Sequence, residues 1–79
     1  MTVTKEWIDG LTSYHSESTA ILVWLREQVD MDIGWVLWIE VLWEDAVTAR
    51  VSIHCHGDVD MTFMYNIETQ HVSICSYRF

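Results

Sequence analysis

The stretch VTARVSIHCHGDVDMTFMY, residues 47–65, decides the fold of this chain. From Val47 to His56, alternation puts Val47, Ala49, Val51, Ile53 and Cys55 on one face and Thr48, Arg50, Ser52, His54 and His56 on the other. That two-residue rhythm predicts a half-buried antiparallel strand. If Gly57-Asp58 were a two-residue turn, His56 would oppose Val59 and the polar face would meet the apolar set Val59, Met61, Phe63 and Tyr65. A three-residue loop, His56-Gly57-Asp58, pairs Cys55 with Val59, Ile53 with Met61 and Val51 with Phe63. It also sets His54 across from Asp60 on the outer surface. The longer loop is therefore expected.

The same reasoning extends in both directions. Upstream, a Glu44-Asp45-Ala46 loop pairs Trp43 with Val47 and places Glu40 opposite Arg50, an opposite-charge pair. The strand before it puts Trp35, Leu37, Ile39, Val41 and Trp43 inward, yet Val36, Trp38 and Leu42 leave an apolar outer row. Trp38 and Leu42 then lie at one edge of the sheet, where a partner chain or the N-terminal helix can cover them. Isolated exposed apolar side chains are also common, and that reading carries equal weight. Downstream, a loop Ile67-Glu68-Thr69-Gln70 pairs Phe63 with Ile74. The last strand, about His71 to Phe79, can point Val72, Ile74 and Ser76 inward, or Cys75, Tyr77 and Phe79. Val72 and Ile74 are the preferred inner pair.

Before the strands the period is helical. Thr4 is a candidate N-cap for a short helix whose Trp7, Ile8 and Leu11 share a face, with Glu6 in its first turn. Ile21, Leu22, Leu25 and Val29 mark a second helix, with Ser16 as its expected N-cap. Asp30-Met31-Asp32-Ile33-Gly34 breaks that period. The expected architecture is α+β: two N-terminal helices on one face of a four-stranded antiparallel meander. With no proline, no repeat and no low-complexity segment, residues 1–79 read as a single domain.

Composition bounds what such a domain does. Twelve Asp and Glu against four Lys and Arg give a formal net charge of -8, while 51% of the residues are hydrophobic. A disordered acidic tail lacks apolar residues, whereas this chain has five Trp, three Tyr and two Phe to fill a core. The field repels nucleic acid and anionic membrane and attracts basic surfaces, so direct nucleic-acid binding is disfavoured. The longest apolar runs, Ile21 to Leu25 and Trp35 to Ile39, fall far short of the roughly 20 residues that span a bilayer. Two cysteines, Cys55 and Cys75, and no segment resembling a secretory signal suggest reduced thiols in a cytoplasm.

The densest group of potential ligands is His54-Cys55-His56-Gly57-Asp58 with Asp60. His54 and His56 share a strand face and two imidazoles can grip a metal, but Cys55 points away, His71 sits two strands off and no CxxC pair is present. An exposed polar face with His54 paired to Asp60 is the simpler reading. No GxSxG elbow or phosphate-binding glycine loop occurs, and carboxylate pairs such as Asp30 with Asp32 or Asp58 with Asp60 need a cleft to act on a glycoside. The expectation is a non-enzyme without cofactor.

Placement of the acids says more. In the meander, Asp30, Asp32, Asp58 and Asp60 gather near one end of the sheet, and Glu44, Asp45 and Glu68 near the other. In size, acidity and short α+β build, the chain resembles the small phage-encoded inhibitors of bacterial defence, notably anti-CRISPR proteins and other DNA mimics. That resemblance implies a partner that is a basic nucleic-acid-binding protein or a CRISPR effector complex. It implies these seven carboxylates as stand-ins for phosphates. A monomer fits this role, and a homodimer joined through Trp38 and Leu42 is the alternative.

Overall fold

The computed structural model describes residues 3–29 and 36–78. Among them the chain is α+β: helix α1 (Lys5–Gly10), a 3-10 turn (Leu11–Ser13), helix α2 (Thr19–Val29), then strands β1 (Val36–Trp43), β2 (Thr48–Cys55), β3 (Val59–Asn66) and β4 (Val72–Arg78). The strands form one antiparallel sheet in the order β1-β2-β3-β4, so β1 and β4 are its edges.

Local chemistry explains where the helices start. The Thr4 hydroxyl accepts the Trp7 N–H at 3.2 Å, satisfying one of the donors that a first turn leaves without a partner. The second helix begins later than the expected Ser16 cap. Residues 15–18 close a turn through the Ser18 N–H to the His15 carbonyl at 2.8 Å, and the Ser18 hydroxyl accepts the His15 N–H. Ser16 is used up in that turn, and the Ser18 carbonyl takes the Leu22 N–H.

The central hairpin has the register that the faces require. Cys55 pairs with Val59, Ile53 with Met61, Val51 with Phe63 and His54 with Asp60. The turn is closed by Gly57 at φ +82° and Asp58 at φ +60°, the left-handed region that glycine and aspartate enter at least cost. The β3–β4 loop is likewise residues 67–70: Tyr65 pairs with Val72, and the Gln70 N–H returns to the Asn66 carbonyl at 2.7 Å.

Three expectations about the sheet are corrected. The β1–β2 register lies two residues from the expected one, pairing Trp43 with Ala49, Leu42 with Arg50 and Glu40 with Ser52. The Asp45 carboxylate accepts the Val47 and Thr48 N–H groups at 2.9 and 2.7 Å, which pins the turn at 45–47. A shift of two preserves the faces, but Glu40 no longer opposes Arg50. Second, a bulge falls between Val36, paired with Cys55, and Trp38, paired with His54. The extra residue, Leu37, is 47% exposed and Val36 turns inward at 3%, the reverse of the expected placement. Third, Ile74 pairs with Phe63 as expected yet remains 43% exposed on its edge strand, so of the preferred inner pair only Val72 packs against the core.

The core joins helix and sheet side chains in one cluster: Ile8, Leu11, Trp24, Leu25 and Val29 with Val36, Ile39, Ala49, Val51, Ile53, Met61, Phe63 and Tyr65. Each fully buried aliphatic or aromatic side chain stabilises by about 1.5–3 kcal/mol. Trp24 is the pivot. Its ring meets Tyr65 edge-on at 5.2 Å, Phe63 at 6.3 Å and Trp7 at 6.4 Å.

Candidate functional site

Antiparallel strands alternate their side chains, so β1, β2 and β3 set an outer row beside the core row. On that outer row Trp38, His54 and Asp60 line up across three strands, because Trp38 pairs with His54 and His54 with Asp60. The His54 Nδ1 lies 3.0 Å from the Asp60 carboxylate. Its Nε2 lies 3.0 Å from Glu40 Oε1, at ion-pair distance but off the line of a hydrogen bond. The Trp38 indole N–H donates to the same Glu40 oxygen at 3.0 Å, and its ring lies flat on the imidazole, 4.4 Å between centroids. One imidazole is thus held by two carboxylates and an indole. Beside it, the Ser52 and Thr62 hydroxyls bond each other at 3.2 Å.

Of the seven carboxylates singled out as phosphate substitutes, Asp30 and Asp32 lie outside the described residues. Asp58 is exposed in the β2–β3 turn, and Asp60 beside it is half-buried against His54. Glu44, Asp45 and Glu68 occupy the loops at the opposite end of the sheet. Glu44 binds Arg50 Nε at 2.8 Å. Hydrogen bonds from the Val47 and Thr48 backbone hold the Asp45 carboxyl below its ordinary value. Glu68 is exposed, and the Asn66 side chain accepts its backbone N–H and that of Thr69, which fixes the loop.

The positive charges near these acids are turned back onto the protein. Arg50 answers Glu44, and Lys5 sits over the Trp43 ring at 5.0 Å from its centroid. The Trp43 indole in turn donates to Asp9 at 2.7 Å. Beside them, Trp38 and Leu42 are 50% and 59% exposed, so two members of the outer apolar row expected on the first strand are present and the third, Val36, is buried.

Sequence reasoning paired His54 with Asp60 but missed Glu40, which the shifted β1–β2 loop moves from Arg50 to Ser52, on the same face as Trp38 and next to the Trp38–His54 pair. His56 is exposed in the turn. Among the described residues, no group of three or more His, Cys, Asp or Glu side chains is arranged to hold a metal ion. Burial, with the charge of Asp60 adding to it, pushes the Cys55 thiol up, which favours the protonated, weakly nucleophilic form. A cleft of about 190 Å³ between Trp24, Tyr65, Gln28 and Gln70 is small beside the roughly 300–1,000 Å³ of ligand pockets. No described helix is long and apolar enough to cross a membrane. What this surface presents is fixed carboxylates, an exposed indole and apolar side chains beside one another on the sheet. No protein-family model, curated protein or solved structure matches the chain.

Proposed function

We propose that this chain is a small acidic binding protein that seats on the basic, nucleic-acid-binding surface of a partner and blocks target DNA from it, as anti-CRISPR proteins and other DNA mimics do. It acts by occupancy, without catalysis or cofactor, in the cytoplasm where such a partner works. The observation that carries this reading is a net charge of -8, with Glu44, Asp45 and Glu68 on short, hydrogen-bonded loops at one end of the sheet and Asp58 in the turn at the other. The helices lie over one sheet face in this arrangement, leaving the other face and the loops for the partner.

Rigid carboxylates are worth more to such an encounter than mobile ones, because no ordering cost is added on binding. A strand of eight residues spans about 26 Å, so the two acidic ends meet a cationic groove at well-separated points. The test is competition. Purified CRISPR effector complexes are incubated with the protein, and target-DNA binding is followed at low and high salt. The expected result is loss of DNA binding that salt relieves. DNA binding unchanged by a molar excess of the protein overturns the reading.

A second reading, a homodimeric interaction module without inhibitory role, is favoured by one observation: the exposure of Trp38 and Leu42 on the same strand face. Light scattering separates the two, since that reading requires a dimer which Trp38→Asp turns into a monomer.

A further inference from the structure

The cleft beside α2 lies toward the end of the sheet that carries Glu44, Asp45 and Glu68. On the helix, Trp24, Glu27 and Gln28 stand at i, i+3 and i+4, so they share one face. Tyr65, near the end of β3, and Gln70, in the loop after it, line the other side. Among the described residues, neither the Glu27 carboxylate, the Gln28 and Gln70 amides nor the Tyr65 hydroxyl makes a hydrogen bond or ion pair. Tyr65 is only 2% exposed, and a buried tyrosine hydroxyl ordinarily finds a partner. It is not sealed in, since the described side-chain groups enclosed without a partner are Trp7 Nε1 and His54 Nε2. The hydroxyl therefore opens on the cleft that its side chain lines. Burial pushes its pKa up, which keeps it a neutral phenol. Gln70 adds a backbone observation. Its φ of +61° lies in the left-handed region that glycine enters at least cost, so the glutamine is carried there against that preference.

We infer that this cleft seats the guanidinium of an arginine side chain presented by the partner. Its volume of about 190 Å³ is the share of roughly six waters, too small for an ordinary ligand and matched to one long side chain. Glu27 is the charged member of the lining, which selects a cation over an anion. With it stand two amide oxygens and a phenol oxygen, all able to accept. A guanidinium meets several acceptors at once with a planar fork of N–H donors, whereas an ammonium is a compact point charge. Val3 and the Trp24 ring complete the lining and flank the methylenes of the arginine. Surfaces that hold phosphates are rich in arginine. The inference rests on the reading that the partner has such a surface, and adds which of its side chains is gripped and where.

The probe is N-acetyl-arginine amide titrated into the whole chain, with the citrulline and lysine counterparts as controls. Citrulline keeps the shape of arginine and loses its charge. NMR follows the Gln28 and Gln70 side-chain amides and the backbone amide of Glu27. Saturable shifts at these groups are expected with arginine, with affinity at least about tenfold weaker for citrulline and several-fold weaker for lysine. Glu27→Gln, at an exposed helix position, should weaken arginine by about tenfold. Gln70→Gly should bind several-fold more weakly while its unfolding midpoint stays level or rises, because glycine accepts the positive φ. Tyr65→Phe should also bind more weakly, with its midpoint unchanged. Shifts that spread over Glu44, Asp45 and Asp58 without saturating would show charge attraction alone and overturn the inference. Citrulline binding as well as arginine would overturn it too, marking a seat for neutral polar groups. So would Gln70→Gly and Tyr65→Phe variants that fold and bind like wild type; if Tyr65→Phe does not fold, Gln70→Gly decides. A CRISPR complex inhibited equally by wild type and Glu27→Gln, with no probe in the cleft, removes the arginine seat alone. Probe bound in the cleft with every complex unaffected removes the inhibitor reading alone.

Discussion

Trp38 lies flat against His54, 4.4 Å between ring centroids and 17° between planes, on the sheet face opposite the core. Such a contact orders an otherwise exposed indole. A double-mutant cycle of Trp38→Ala and His54→Ala, read by urea unfolding, should give a coupling energy of about 0.5–1.5 kcal/mol. Additive single-variant effects would show that the stack contributes nothing.

The core and the edge should respond differently to truncation. Phe63 is fully buried and touches Trp24, so Phe63→Ala is expected to cost about 3–5 kcal/mol. A chain of 79 residues has roughly 4–12 kcal/mol of stability in total, so this variant approaches unfolding. Ile74, its neighbour on β4, is 43% exposed, and Ile74→Ala should cost under about 1 kcal/mol. Equal losses in denaturant titrations would contradict the placement of Ile74.

Asp45 makes the β1–β2 turn sensitive to acid. Two backbone N–H groups stabilise its ionised form, so its folded-state pKa lies below the ordinary 3.8. A depressed pKa contributes stability that is fully present above the unfolded value and lost as pH falls through the folded one. Asp45→Asn keeps an acceptor but not the charge. It should be less stable than wild type at pH 7, with the difference closing as pH drops below 3.8. A gap that persists at pH 2 would assign the effect to shape instead.

The Cys55 thiol is raised first by burial and then by the Asp60 charge. In a Cys75→Ser background it should react with iodoacetamide at pH 8 several-fold more slowly than a free cysteine peptide. Asp60→Asn should speed the reaction, and an unchanged rate would show that burial alone protects the thiol.

The parts of the fold legible in the sequence are those where apolar and polar residues alternate with contrast. Val47 to Tyr65 has that contrast, and its pairing follows from faces and one glycine turn. Contrast fails where every residue is apolar. In Val36-Leu37-Trp38-Ile39 either phase looks the same, so the bulge that sends Val36 inward left no mark. The run Ile21 to Leu25 likewise hid Trp24, whose ring bridges Trp7, Phe63 and Tyr65. The β1–β2 register turned on a single carboxylate reaching two amides, a local bond that side-chain faces do not encode. The His54–Asp60 pair was readable from register alone, whereas Glu40 joins it only once the β1–β2 loop is known.

The unpaired residue at Leu37 means that β1 carries one more amino acid than its neighbour requires. Excising it joins Val36 to Trp38 in plain in-out order, so a shortened chain keeps both faces intact, while loss of any later residue in that strand inverts all that precedes it. Length variation is therefore tolerated at this spot, on the border between the aromatic platform and the interior, one of two register shifts among the described strands, the other falling between Thr62 and Phe63 in the β3–β4 pairing.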